Sequence, residues 1–304
     1  MQRRKFIANT GVVIIGMGVF GNINPSRQGF IGDTFTTTDI LGPFYRPDAP
    51  LRKNINPKDF TGEILNLSGT IYKEDGKTPM PNCFIEIWQC KSDGYYDNLS
   101  DEYSYRGSQK VSADGKYHFT TTKPVPEPTD ETLTIFRPAH IHLRISAIGQ
   151  QDLITQIYFT NDPYLDSDPS TKSELTVNRI LSLTKTKPNE SELKFDIVLK
   201  KQFVPEDELF HKVSGVYKMS DRSQMEFYRN GDLLFYKTNN QIWGALSYAG
   251  NNTFIGGTND TEAKFELSES NKANVQFRFI RRRKTEIEGT KIISYTNNNT
   301  GKGH

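Results

Sequence analysis

From Leu65 onward the apolar residues fall in short runs of period two, and each run ends in turn chemistry. Asn66–Tyr72 stops at Glu74-Asp75-Gly76, Cys83–Cys90 at Ser92-Asp93-Gly94, and Leu153–Phe159 at Asn161-Asp162-Pro163. Lys116–Thr121 follows Ala113-Asp114-Gly115, and His140–Ile145 follows Pro138. Alternate side chains of a strand face opposite sides of a sheet, so this pattern predicts short strands joined by tight turns. The expected fold is mainly β, an antiparallel β-sandwich rather than a parallel α/β sheet. A last strand, Leu193–Lys200, would put Leu193, Phe195, Ile197 and Leu199 on one face, and one amphipathic helix is expected over Thr171–Leu183.

The composition changes after Lys201. Gln202–Leu209 is a charged, proline-containing connector, and Val213 opens a second series of runs. Met225–Tyr228 and Leu233–Tyr236 flank Arg229-Asn230-Gly231-Asp232, whose Asn-Gly pair favours a tight hairpin turn. Ile242–Tyr248, Thr253–Ile255, Ala263–Leu267 and Val275–Ile280 continue the series. Residues 204–304 therefore read as a second, smaller all-β domain with a polar tail after Tyr295, and residues 25–203 as the β-sandwich domain. The second domain carries His211 at its edge and the terminal His304, with no carboxylates at metal-ligand spacing, so chemistry is expected in the first.

Charge narrows the partners. A net charge of +2 with 24% charged residues gives no reason to expect a nucleic acid, and Arg281-Arg282-Arg283-Lys284 reads as a solvated strand end. Cys83 and Cys90 are an odd number of residues apart and would face opposite sides of one strand, so no bridge is expected. At the start, Arg3-Arg4-Lys5 precedes an apolar stretch, Ile7–Phe20, that is short for a membrane span. Residues 1–24 look like an export signal of the twin-arginine type. The expected location is the periplasm, or a membrane surface if the segment is retained as an anchor.

The chemistry concentrates at Arg137-Pro138-Ala139-His140-Ile141-His142. On a strand, His140 and His142 share a face while Ile141 turns to the other, so two imidazoles can take adjacent positions around one metal. Spacing alone is equally compatible with a surface pair or a hydrogen-bonded core pair, and does not choose among zinc, iron and copper.

Other blocks add to this one. In order along the chain stand Leu41-Gly42-Pro43-Phe44-Tyr45-Arg46, Ile85-Glu86-Ile87-Trp88-Gln89, Asp93-Gly94-Tyr95-Tyr96, Arg106-Gly107, the R-P-A-H-I-H block and Leu153-Ile154-Thr155-Gln156-Ile157-Tyr158-Phe159. With them, the chain from about Asp39 to Lys200 resembles the intradiol ring-cleavage dioxygenases, the protocatechuate and catechol dioxygenase group. The resemblance implies a β-sandwich core, Fe(3+) as cofactor, and use of O2 to cut a small aromatic diol between its two hydroxylated carbons. It also implies a possible homo-oligomer, since the family commonly assembles. Two histidines, two tyrosinates and a hydroxide bind iron in that family. By motif, His140 and His142 match the histidine ligands and Tyr96 the tyrosine that stays bound; Tyr95 takes that role if the register slips by one.

The departure is at the second tyrosine. Its segment here is Lys123-Pro124-Val125-Pro126-Glu127-Pro128, with Glu127 in the tyrosine's place and no tyrosine between His118 and Arg137. A glutamate can serve both as an anionic oxygen donor and, off the metal, as a proton acceptor. One expectation is therefore a site of two histidines, one tyrosinate and a displaceable Glu127; another leaves Glu127 in solvent and three protein ligands. Arg137 matches the arginine that stabilises negative charge on the substrate ring, and Gln156 the glutamine close to bound substrate. Tyr45 either lines the substrate pocket or packs against the sandwich, and Trp88 reads as core. The alternative to an enzyme is a non-catalytic metal- or aromatic-binding β-sandwich protein derived from that fold.

Overall fold

A computed structural model describes residues 23–26, 29–32, 35–129, 133–172, 174–268, 272–279 and 285–295. The signal-like segment up to residue 22 and the Arg281–Lys284 run lie outside the described residues. The described chain is mainly β. A hairpin of β1 (Ile23–Ser26) and β2 (Gly29–Gly32) comes first, and an extended arm from Phe35 leads to β3 (Ile64–Tyr72). Then follow β4 (Phe84–Trp88), β5 (Arg106–Lys110), β6 (Lys116–Thr122), β7 (Glu127–Pro128), β8 (Phe136–Arg137), β9 (His140–Ser146) and β10 (Leu153–Phe159). The short strands β11 (Ile180–Leu181), β12 (Thr184–Lys187), β13 (Glu190–Lys194) and β14 (Ile197–Val198) complete this half.

One sheet runs β11-β10-β9-β4-β5. The other centres on β3, with β6 on one side, β13 and β14 on the other, and β12 outside β13. Alternate residues of both sheets meet in one core: Leu65, Leu67, Ile71 and Phe119 from the second, Ile85, Ile87, Ile141, Leu143, Ile145 and Ile157 from the first. Both free cysteines are buried.

Three local expectations need correction. The pairing is mixed, because β13 and β14 join β3 in parallel and β11 joins β10 in parallel. The expected strand Leu193–Lys200 is broken at Phe195, whose carbonyl accepts a 2.6 Å hydrogen bond from the Tyr117 hydroxyl and lies against Gly69, where no side chain would fit. The expected helix over Thr171–Leu183 is a single 3-10 helix, Glu174–Arg179, running straight into β11. Its coil stops because Arg179 is drawn inward onto Asp39 and the Gln156 carbonyl, while Ile180 and Leu181 pair with Tyr158 and Phe159.

After Lys201 a short helix, Asp207–Val213, leads into β15 (Gly215–Met219), β16 (Gln224–Asn230), β17 (Leu233–Thr238) and β18 (Gln241–Gly250). The meander continues through β19 (Thr253–Gly256), β20 (Thr261–Leu267), β21 (Ala273–Phe279) and β22 (Thr285–Ser294). Each strand pairs antiparallel with the next, and β22 returns to β15, closing an eight-stranded barrel that leaves no free edge. Tyr217, Phe227, Tyr236, Phe254, Phe265 and Phe277 share its core with Phe210 and Val213 of the helix. The β16–β17 hairpin turns at Gly231-Asp232, with Asn230 already paired to Leu233 and Gly231 at φ +62°. Strand β17 is buried on both faces: Leu234 and Tyr236 enter the barrel core, while Leu233 and Phe235 join Ala245 in a cluster with Leu41, Tyr45, Trp88, Cys90, Tyr96 and Ile154.

Candidate active site

On β9 the core takes Ile141, Leu143 and Ile145, which leaves His140, His142 and Arg144 on the opposite face. Register fixes their neighbours. His140 lies across from Tyr158 and His142 from Gln156 on β10, and Trp88 on β4 lies across from His142 on the other side.

Tyr96 reaches the same face from the loop after β4 and Glu127 from β7, and the two segments touch. Gly94 has φ +84°, and a Cβ there would stand 2.8 Å from Pro128 Cδ, so glycine lets the loop after β4 press against the Pro126–Pro128 segment. Tyr96 is turned inward and buried, whereas its neighbour Tyr95 is 53% exposed. Glu127 is buried and pairs with Arg137 across the β7–β8 ladder. The Tyr96 Oη is 3.1 Å from His140 Nε2 and 3.2 Å from His142 Nε2, and the two Nε2 atoms are 3.2 Å apart. Glu127 Oε2 is also 3.2 Å from His140 Nε2.

This convergence fits a cation. His140 Nδ1 donates to the Pro138 carbonyl at 2.7 Å, because a carbonyl can only accept, and in the neutral ring that leaves a lone pair on Nε2. That lone pair faces a carboxylate oxygen, an arrangement that repels unless a proton or metal ion stands between them. Burial, reinforced by Glu127, pushes the Tyr96 phenol well above its usual 10, so a phenolate at this position requires a positive partner. Burial, then the charges of His140, Arg137 and Arg106, push His142 well below 6.5 and keep it neutral, the form that binds metal. Among the described residues no three His, Cys, Asp or Glu side chains form a metal-holding group on their own. Hard oxygen donors with two imidazoles suit iron well.

Beside these donors Arg137 is held rigidly. Its Nε donates to Asp168 at 2.8 Å, one terminal nitrogen to Gln156 Oε1 at 3.0 Å and the Tyr158 hydroxyl at 3.2 Å, and the other stands 3.3 Å from His140 Nε2. Burial opposes its charge, but Tyr158, Asp168 and Glu127 outweigh it and hold the guanidinium ionised. Gln156 is fixed in turn by donating to the Ile40 carbonyl at 2.7 Å, and the Tyr158 hydroxyl donates to Asp39 at 2.9 Å. Asp168, Tyr158 and Asp39 join the site without being among its expected residues. Tyr158 shares a strand face with Gln156 and was reachable by the same period of two; Asp39 stands in the extended arm and Asp168 among turn residues, with nothing local to distinguish either.

Tyr45, expected either to line the substrate pocket or to pack against the sandwich, is buried in the cluster that also holds Trp88 and Tyr96. Arg144 donates to its hydroxyl at 3.0 Å, the hydroxyl stands 3.2 Å from both Glu86 oxygens, and its ring packs between Trp88 and Phe235. Burial raises the Tyr45 phenol beyond its normal range, so it is a neutral packing residue. Trp88 lies stacked on the His142 ring at 4.8 Å, and Phe44 stacks on Tyr96 at 4.6 Å. The residue of the G-P-F-Y block that touches a candidate ligand ring is thus Phe44.

Known proteins share this region. A family profile described as Dioxygenase matches residues 40–201. The chain is 37% identical over 171 residues to the chlorocatechol 1,2-dioxygenase of Rhodococcus opacus, covering 48% of this chain and 66% of that protein. It is 36% identical over 152 residues to the catechol 1,2-dioxygenase of Candida albicans, covering 44% and 50%. The chain therefore spans between half and two thirds of the length of these curated relatives. Among solved structures, a single-site variant of Acinetobacter radioresistens catechol 1,2 dioxygenase matches with a TM-score of 0.50 at 23% identity, over 57% of this chain and 65% of that one. That match shows a shared fold over the matched region.

Proposed function

This chain belongs to the intradiol ring-cleavage dioxygenase family, and from that premise we propose that it uses ferric iron and O2 to cleave a catechol-type ring between its hydroxylated carbons. The observation that carries the reading is the approach of Tyr96 Oη, His140 Nε2 and His142 Nε2 to within 3.1–3.2 Å of one another, with Glu127 Oε2 beside them. His140, His142, Tyr96 and Glu127 would hold the iron. When bound, such an ion would supply Lewis acidity, making an electron-rich diol ring reactive toward O2.

The protein's own groups do the rest. Glu127 is the ligand suited to leave, because its carboxylate can accept the proton of an arriving catechol hydroxyl at Oε2. Arg137, unable to swing away from Asp168 and Gln156, presents fixed positive charge next to the donors, where negative charge grows on the ring. Phe44 and the buried rings around Tyr96 exclude water from the same face. Both oxygen atoms of O2 enter the product, a cis,cis-muconate.

Protein loaded with ferric iron is expected to retain one ion per chain, to absorb in the visible through its tyrosinate, and to take up one O2 per catechol cleaved. Glu127→Ala should lower turnover about 100-fold or more and loosen the iron. Unchanged iron content and turnover in that variant would rule out a ligand role for Glu127. A fully loaded wild-type chain that consumes no O2 with a panel of catechols would instead be a metal- or aromatic-binding relative of the family.

A further inference from the structure

His140 and His142 are held by different means. His140 has the outer hydrogen bond that usually orients a metal-binding imidazole, from Nδ1 to the Pro138 carbonyl. The Nδ1 of His142 is buried with no hydrogen-bond partner. Packing must orient that ring instead. Trp88 stacks on it with an interplanar angle of 10°, and the Gly42 turn closes on its Cε1, where a Cβ would stand 3.4 Å away. Trp88 in turn lacks a polar anchor, since its Nε1 is also buried and unpartnered. The next ring against it is Tyr45, edge-on at 5.1 Å, and Tyr45 is backed at 5.8 Å by Phe235 of barrel strand β17. The tip of the β16–β17 hairpin fastens this contact. Arg144 donates to Asn230 Oδ1 at 3.0 Å, and a Cβ on Gly231 would lie 2.5 Å from Asp152 Oδ2.

We propose that the C-terminal barrel is a positioning element of the metal centre, holding His142 in its binding orientation through Phe235, Tyr45 and Trp88. Only the last link, from Trp88 to His142 as a ligand, rests on the iron reading above. Phe235 acts through its neighbours and is a positioning residue.

The test uses the full chain in a Trp243→Phe background, which leaves Trp88 as the one tryptophan. Phe235→Ala is compared with Phe254→Leu, which thins the barrel core away from the contact. In iron-free protein, Phe235→Ala should move Trp88 emission to longer wavelength and at least double its quenching by acrylamide. In iron-loaded protein it should speed loss of iron to a chelator on the order of tenfold, the range seen when outer contacts of a ligand are removed. Phe235→Leu, which keeps part of the packing, should show both effects in the same direction at reduced size, and serves in place of the alanine variant if that one is insoluble. Phe254→Leu should lower the melting temperature yet leave both readouts within about twofold of wild type.

The proposal fails if Phe235→Ala leaves the emission unchanged, or if Phe254→Leu speeds iron loss equally. Shifted emission with unaltered iron loss would overturn the link to His142. Wild-type protein that takes up no ferric iron would overturn the functional reading instead, and the iron-free emission would still decide whether the barrel holds Trp88.

Discussion

The two β-units of this chain treat buried charge in opposite ways. Among the described residues of the barrel, the buried polar side chains are Ser214 and Thr261, and the interior is aromatic rings and aliphatic groups. The two-sheet unit buries Arg106, Glu127, Arg137, Arg144, Asp168 and Arg179, besides His140 and His142. Burying an ion costs several kcal/mol, and pairing offsets that cost without reliably exceeding it. The pairs are present, Arg137 with Asp168 at 2.8 Å, Arg144 with Asp152 at 3.1 Å and Arg179 with Asp39. Such an arrangement is poor as a source of stability and good as a rigid electrostatic frame. One unit concentrates its difficult groups on a single sheet face, while the other is built by packing alone.

Substitutions should therefore separate the two. The largest effect on folding is expected in the barrel. Phe227→Ala removes a ring packed against Tyr217, Tyr236, Phe265 and Phe277 and should cost about 3–5 kcal/mol in denaturant unfolding. Iron bound per folded chain should stay the same; a parallel loss of iron would blur the distinction between the units. Next comes Arg137→Lys, which keeps a positive charge near Asp168 but loses the planar fork that also reaches Gln156 and Tyr158. Turnover should fall about 100-fold, with a smaller change in the unfolding midpoint than Phe227→Ala produces. The reverse order of effects would show Arg137 to be structural. The smallest change is Arg278→Ala on the barrel surface, where the guanidinium bridges Glu262 and Glu286 while 46% exposed. Less than about 1 kcal/mol should be lost, and less still at high salt.

Much of the candidate site could be read from the sequence because a strand transmits local pattern directly into space. His140 and His142 share a face for that reason alone, and the order of the motif blocks brought Tyr96, Glu127 and Arg137 with them. Asp168 was not legible. It stands in Asp166-Ser167-Asp168, a stretch that reads as a surface turn, and only the tertiary path after β10 carries it under Arg137. Asp39 and Arg179 meet for the same reason, from distant segments with no shared periodicity. The series of strands after Val213 was legible, but the closure of the barrel was not, since β22 meets β15 by the sum of seven twists and registers rather than by any local signal. A clue to the contact between the units was available in Leu233-Leu234-Phe235-Tyr236. Four successive apolar residues break the alternation of a strand with one wet face and mark one covered on both.

The parallel seam of β3 carries a consequence for how the chain is made. Leu67 pairs with Phe119 on one side but with Leu193 on the other. At a synthesis rate of roughly 5–20 residues per second, the second partner leaves the ribosome on the order of ten seconds after β3 does. Throughout that interval one unsatisfied flank, with alternating apolar side chains, is open to strangers. Barrel hairpins, by contrast, meet their neighbours almost as soon as they emerge. Aggregation during biosynthesis should accordingly begin in the early half of the chain and be relieved by anything that shortens the wait for Leu193.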